Sequence, residues 1–450
     1  MPRNPRPQSP AAIGAAGDGV VSQADYLSRD EVLARLGIKQ QTLYAYVSRG
    51  FIRSVARPDG RSSYYLREDV ERLRARRLGR AGQGAAAATA IRWGDPIMET
   101  AITRIGPEGP WYRGHAATAL ARSGLPFENV AELLWTGTLP AAPLAWPTHP
   151  GGPDLTGPDL TGIAAALRRL RRDAHVVQLM AASVLALGVA AGLRRQRFLA
   201  GQTPLALARE MVRALAGTLG FLGPAPGWKP PAPGEGIAAA VAGLLIPRAA
   251  SPAGPGAVAA INTALIMAAD HELNPATFAA RVAASGSCDL HSSVGAALNT
   301  HYGTLVGRAC DRVEKLFDPR ADAETLFARA RQMLGKAETL PGFDHPLYPA
   351  GDPRARHLIA AALAAGGAVP SVRAMHAVAL RLEGECRARP KIEFGLVLLC
   401  RALDLPPRSA SGLYALGQVA GWVAHVLEQR SAGFVIRPRA RFGPPPLTPP

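Results

Sequence analysis

Cysteine is scarce in this chain, with four residues in 450, at positions 288, 310, 386 and 400. None forms a CxxC pair, which excludes a disulfide scaffold and a cysteine-rich zinc site and fits a reducing, cytoplasmic compartment. Long apolar runs are missing too. The longest, Leu179 to Leu193, has 15 residues and contains Ser183. A membrane span needs roughly 20, so a buried core helix is expected and no membrane anchor. The N-terminal MPRNPRPQSPAAIGAAGDG interrupts its short apolar run with Pro and Gly and does not read as a secretory signal. Acidic residues are the minority charge, 34 against 51 Lys and Arg, for a formal net charge of +17. No His, Cys and Asp cluster has metal-ligand spacing, so no metal is expected. There is no Gly-rich phosphate loop and no G-x-S-x-G elbow. Glycine and proline, 47 and 40 residues, follow no G-X-Y period, so a collagen-like rod is excluded as well.

What is present is enough apolar material for a large core: 48% of residues, against 19% charged. Residues 1–24 read as a disordered tail, 25–78 as a compact charged block, 79–92 as a linker built on GRAGQGAAAATA, and 443–450 as a second tail. A tandem PDLTG at 153–162 is a duplicated loop. From residue 93 onward, Ala- and Leu-rich stretches with apolar spacing of 3 and 4 predict helices. These include 112–122, 163–194, 275–284, 370–386, 392–403 and 408–429. This part is expected to be almost free of strands, and the fold class is mainly α.

Residues 1–80 carry 15 Lys and Arg against 8 Asp and Glu. Ser28 with Glu31 has capping-box spacing. A helix to Leu36, a turn at Gly37-Ile38 and a second helix from Gln40 to Arg49 are expected, followed by two short strands around Pro58-Asp59-Gly60-Arg61. The whole block, YLSRDEVLARLGIKQQTLYAYVSRGFIRSVARPDGRSSYYLREDVERL, resembles the winged helix-turn-helix of the MerR and excisionase group. If it binds DNA, Lys39, Gln40, Gln41, Thr42 and Tyr44 open the recognition helix, and Arg57 and Arg61 on the wing meet phosphates. The alternative is a fused module for dimerisation or partner contact.

In the body, six segments occur in order: LLWTGTLP at 133–140, ADHELNPATFAARVAAS at 269–285, GFDHPLYPAGDPRA at 342–355, RPKIEF at 389–394, GQVAGWVAHVLEQ at 417–429 and RPRARF at 437–442. Together they resemble citrate synthase, over about residues 93–442. The resemblance implies an all-helical homodimer with a large domain (93–307 and 404–442) and a small domain (308–403), preceded here by the small winged helix-turn-helix. It implies condensation of acetyl-CoA, or another acyl-CoA, with oxaloacetate, acetyl-CoA being a substrate and no cofactor being bound.

Carried over by position, His271 matches an oxaloacetate-binding histidine and His345 the one that polarises the ketone. Arg354 matches a carboxylate-binding arginine, and Arg437 one that reaches the other subunit. Three positions depart. Val306 stands where the family has its enolate-stabilising histidine, and valine has no donor. Glu393 stands for the aspartate base, and Gln418 for a substrate-binding arginine. Asp344 beside His345 is expected to raise the histidine's pKa, and Arg308 sits where close packing favours glycine. His291 and His301 are expected at a surface or interface, and His425 in a packing role. Three readings follow: a working acyltransferase, a dicarboxylate- or CoA-sensing DNA-binding regulator, and a non-catalytic subunit paired with an active paralogue.

Overall fold

The computed structural model describes residues 26–48, 52–56, 63–67, 69–71, 98–146, 158–171, 174–195, 204–232, 234–247, 254–336 and 338–438. They fall into two units, one running up to and including Met98 and one spanning Glu99–Pro438.

The first unit contains β1 (Tyr26–Leu27), α1 (Arg29–Leu36), α2 (Gln40–Ser48), β2 (Ser54–Ala56) and β3 (Ser63–Leu66). The Ser28 and Glu31 capping box is formed in both directions. Gly37 ends α1 at φ +58, a left-handed turn that suits glycine. The strands make an antiparallel sheet in the order β1-β3-β2. Leu27, Val32, Leu36, Leu43, Ile52, Tyr65 and Val70 form its core.

The second unit opens on strands β4 (Thr103–Gly106), β5 (Gly109–Tyr112) and β6 (His115–Ala116), an antiparallel sheet. It continues through α3 (Ala117–Arg122), α4 (Phe127–Thr136), α5 (Pro158–Leu170), α6 (Val176–Arg195), α7 (Pro204–Thr218), α8 (Ile237–Leu245), α9 (Pro255–Ala268), α10 (Pro275–Ser285), α11 (Leu290–His301), α12 (Ala309–Leu316), α13 (Ala323–Gly335), α14 (Pro353–Gly366), α15 (Pro370–Cys386), α16 (Ile392–Ala402) and α17 (Ser409–Ala432). The helical expectation thus needs three corrections. The sheet replaces the start of the helix expected over 112–122. The stretch 163–194 is two helices, because the His175 backbone N–H donates to Gln178 Oε1 while its ring Nδ1 accepts the Val177 N–H, an N-cap made by a residue outside the usual set. The short polar helix α12 was not anticipated.

α17 is the axis of this unit. It is buried along almost its whole length and packs on α9, α10, α11 and α4. Its glycines let neighbours approach. A Cβ on Gly421 would lie 2.2 Å from Asp270 Oδ1 and 2.6 Å from the Ala269 carbonyl, which accepts the Gly421 N–H at 2.9 Å. Among the described residues, no helix is long and apolar enough to cross a membrane.

Overpacking so tight a contact typically costs about 1–3 kcal/mol. Gly421→Ala is therefore expected to lower the melting temperature by several degrees. An unchanged melting temperature would contradict the close approach of α17 to the Ala269-Asp270 segment.

Candidate active site

Asp352 is the N-cap of α14, accepting from the Arg354 N–H at 3.0 Å. An Asp followed by Pro353 at the first helical position is a strong start signal. The same carboxylate pairs bidentately with the Arg354 guanidinium, Nε at 3.0 Å and Nη2 at 2.8 Å. It also accepts the Ile392 N–H at 3.1 Å, which fixes the first turn of α16 beside it. Both side chains are buried, 1% exposed each. Burial opposes both charges, but their mutual pairing overrides it and holds the Asp352 carboxyl below, and the Arg354 guanidinium above, its ordinary value. Arg354 keeps one buried nitrogen, Nη1, without a partner.

Glu393 follows Ile392 on α16 and is 6% exposed. Its Oε1 lies 3.6 Å from Lys391 Nζ, and its Oε2 is buried without a partner. The strand-like segment before α16 is stitched to the loop bearing His345: Phe343 bridges Pro390, and the Asp344 N–H donates to the Arg389 carbonyl at 2.8 Å. Asp344 itself adopts φ +53, and its carboxylate accepts the Arg389 N–H at 2.9 Å.

That placement corrects the expectation for His345. Its pKa is lowered to about 4, by burial first and by Arg354 next. Asp344 is engaged by the Arg389 backbone instead. The Leu347 N–H donates to His345 Nδ1 at 3.2 Å, which leaves the proton of the neutral ring on Nε2. His271 is buried edge-on to His345, ring centroids 5.0 Å apart. It shares a 2.9 Å hydrogen bond between Nε2 and the Tyr348 hydroxyl. Burial, then Arg354 and His345, hold the His271 pKa well below its usual value. Tyr348 was not singled out in the sequence; Arg354 lies 5.5 Å from its ring centroid.

The loop carrying His271 is held from below. Asp270 Oδ2 accepts the Glu272 N–H at 3.2 Å and lies 3.4 Å from His425 Nε2. The Tyr112 hydroxyl donates toward the Asp270 carbonyl at 3.2 Å. Behind His425, Arg281 reaches Glu428 at 2.8 Å and Gln429 at 2.9 Å. His425 therefore has the packing role expected of it, within a buried polar network.

The structure brings His271, His345, Arg354 and Glu393 together around Asp352. It does not add Gln418 as a free donor. That side chain is 1% exposed, its Nε2 donates to the Ala268 carbonyl at 2.7 Å, and its Oε1 accepts from Asn274 at 2.7 Å. Arg437 is exposed beyond α17. Arg308 is tolerated because it turns outward, 3.0 Å from Asp311 and stacked over Tyr302. His291 and His301 are both buried, against expectation, and His301 is only 1% exposed. In the front unit Lys39, Gln40, Gln41 and Tyr44 are exposed on α2 or just before it, with Thr42 half-buried. Arg57 and Arg61 lie outside the described residues. Among the described residues, no group of three or more His, Cys, Asp or Glu is placed to hold a metal ion.

The model of the citrate synthase C-terminal domain family matches residues 91–439. Citrate synthase 2 of Bacillus subtilis is 33% identical over 192 residues, 42% of this chain and 51% of that one. The chain thus spans about half the length of this curated relative. A 2-methylcitrate synthase 2 from Corynebacterium glutamicum is 26% identical over 372 residues, 76% of this chain and 91% of that one. Among solved structures, citrate synthase of Thermoplasma acidophilum, in a ternary complex with carboxymethyl coenzyme A and oxaloacetate, superposes with a TM-score of 0.65 at 24% identity, over 81% of this chain and 97% of that one. That likeness carries the fold.

Two outcomes follow from this geometry. Asp352→Asn leaves a buried guanidinium without its counter-charge, which costs about 3–5 kcal/mol and is expected to show as a melting temperature lowered by ten degrees or more. Stability is also expected to fall as the pH drops from 6.5 to 5.5. His271, His301 and His345 all have folded pKa values below 6.5, so the unfolded chain takes up their protons first. Each contributes up to about 1.4 kcal/mol per pH unit. Glu314, raised by burial to about 7, opposes them. A melting temperature that rises over that interval would contradict three buried neutral histidines.

Proposed function

We propose that this chain, which belongs to the citrate synthase family, binds a short 2-oxo dicarboxylate of the oxaloacetate class and condenses it with an acyl-CoA. The observation that carries this reading is the shared anchor. One carboxylate, Asp352, holds both Arg354 and the helix turn of Glu393, with His271 and His345 alongside. In this reading Arg354 Nη1, buried and without a partner, receives a ligand carboxylate, for which a planar guanidinium is well suited. His345 Nε2–H is aimed at the ketone oxygen and His271 steadies the same ligand. Glu393 removes a proton from the carbon next to the thioester. The resulting carbon nucleophile attacks the ketone carbon, whose oxygen takes up the proton, and water then releases CoA from the thioester. The names of the relatives from Bacillus subtilis and Corynebacterium glutamicum support this class of reaction. Arg437, exposed past α17, serves the site of a second subunit in the homodimer this reading requires.

A second role concerns the front unit by itself. Its two helices about Gly37, its three-stranded sheet and the exposed Lys39, Gln40, Gln41 and Tyr44 support a winged helix-turn-helix that binds duplex DNA. Thr42, with these four, forms its reading face, and Arg57 and Arg61, between β2 and β3 in sequence, would meet phosphates. Binding of this kind weakens steeply between 50 and 200 mM salt, by about 10³-fold or more where six or more phosphates are contacted.

Oxaloacetate is expected to raise the melting temperature of the purified chain, and Arg354→Ala to abolish that shift. CoA release from acetyl-CoA or propionyl-CoA is measured with a thiol reagent. Glu393→Gln is expected to keep the oxaloacetate shift while CoA release falls by about 10²–10⁴-fold. An oxaloacetate shift without any CoA release would favour a ligand sensor over an acyltransferase.

A further inference from the structure

The proposed condensation lacks a donor for the enolate oxygen. Val306 lies in the turn between α11 and α12 and offers none. Two side chains near that turn have donors that nothing above uses. The His301 ring fills the space over Gly307, where a Cβ would lie 2.1 Å from its Nε2. It packs edge-on against Tyr414 and Trp422, at 5.0 and 5.4 Å between centroids. Both of its nitrogens are buried and unpartnered, a state that costs about 1–3 kcal/mol per group. His301 is thus walled in, and the side chain in front of it is Tyr414.

Tyr414 sits on α17 and is half-buried rather than sealed. Among the described residues its hydroxyl has no hydrogen-bond partner. Its phenol is close enough to Glu393, Arg354 and Asp352 for their charges to act on it. Burial first, and the negative charge of Glu393 next, keep it protonated throughout the physiological range. A neutral O–H packed against the ring that covers Gly307, next to Val306, is the kind of donor that stabilises developing oxyanions.

We propose that the Tyr414 hydroxyl, backed by the ring of His301, supplies the hydrogen bond to the enolate oxygen that Val306 does not. When Glu393 takes the proton from the thioester α-carbon, the bonding pair moves onto the carbonyl oxygen, and Tyr414 Oη–H donates to that oxygen. The pair returns to carbon as the new carbon–carbon bond forms, and no proton leaves Tyr414. His301 is a positioning residue, fixing the plane of the Tyr414 ring at 84° to its own. This inference rests on the condensation reading.

The test uses the full chain and its Tyr414→Phe variant, with oxaloacetate and either acetyl-CoA or propionyl-CoA. Tyr414→Phe is expected to retain the oxaloacetate-induced melting shift and the oxaloacetate KM, while kcat falls by about 10²–10³-fold. Adding Val306→His to that variant is expected to restore at least tenfold of the loss. Unchanged kcat in Tyr414→Phe overturns the assignment. So does a lost shift or raised KM with kcat kept, which would make Tyr414 a dicarboxylate contact. A wild-type chain that shifts with oxaloacetate but releases no CoA also overturns it, and leaves ligand binding standing. A wild-type chain with no shift overturns the reading of the site itself.

Discussion

The Asp352 carboxylate accepts four hydrogen bonds, two from the Arg354 side chain, one from the Arg354 N–H and one from the Ile392 N–H. Arg354 and the helix turn that carries Glu393 both hang from it. It starts α14, neutralises a guanidinium that is 1% exposed, and joins the first turn of α16 to the first turn of α14. Two helix N-termini and one arginine thus meet at two oxygens. A buried pair of this kind gains little net stability over an apolar replacement, but breaking it is costly. Its value here is positional. Arg354 and Glu393 are 39 residues apart in sequence, and one side chain sets their separation.

Much of this was legible in the sequence where chain stereochemistry is decisive. Proline at the first helical position and a side-chain cap mark the starts of α10 and α14, and the expected 275–284 lies one residue short of the observed end of α10. α15 begins and ends where the pattern put it, from Pro370 to Cys386. The misses have equally specific causes. The short strands β4 and β5 offered only Thr-Arg-Ile-Gly and Gly-Pro-Trp-Tyr, too brief to register against surrounding Ala-rich helix patterns. The break before α6 depends on a histidine cap. α12, ACDRVEKL, carries an apolar face at Ala309, Cys310, Val313 and Leu316, but eight residues are too short a run to stand out.

The site was legible as a set of residue types and illegible as a set of relationships. Motif context pointed to His271, His345, Arg354 and Glu393, and these do gather at one place. It gave no warning that Asp344 would be engaged by the Arg389 backbone through a left-handed conformation, since only the fold brings residues 344 and 389 together. Nor did it reveal that Gln418 spends both ends of its amide on Ala268 and Asn274. The sequence pattern puts His301 at a surface or interface. The turn instead folds back so that the Gly307 N–H donates to the His301 carbonyl at 2.9 Å, and the ring lies over the glycine.

Charge accounting sharpens what the proposed ligand must find. Arg354 is already matched by Asp352, and Lys391 stands beside Glu393. His271 and His345 are held neutral, His345 by burial and the nearby guanidinium down to about 4. They contribute hydrogen bonds without charge. A dianion entering this site therefore meets donors in plenty, but Arg354 and Lys391 already have carboxylate neighbours. Gln418 brings no charge, and both ends of its amide are spent on Ala268 and Asn274. Arg437 is exposed past α17. In the proposed dimer, the cation that balances the second carboxylate would come from the partner copy, so ligand binding and assembly would depend on each other.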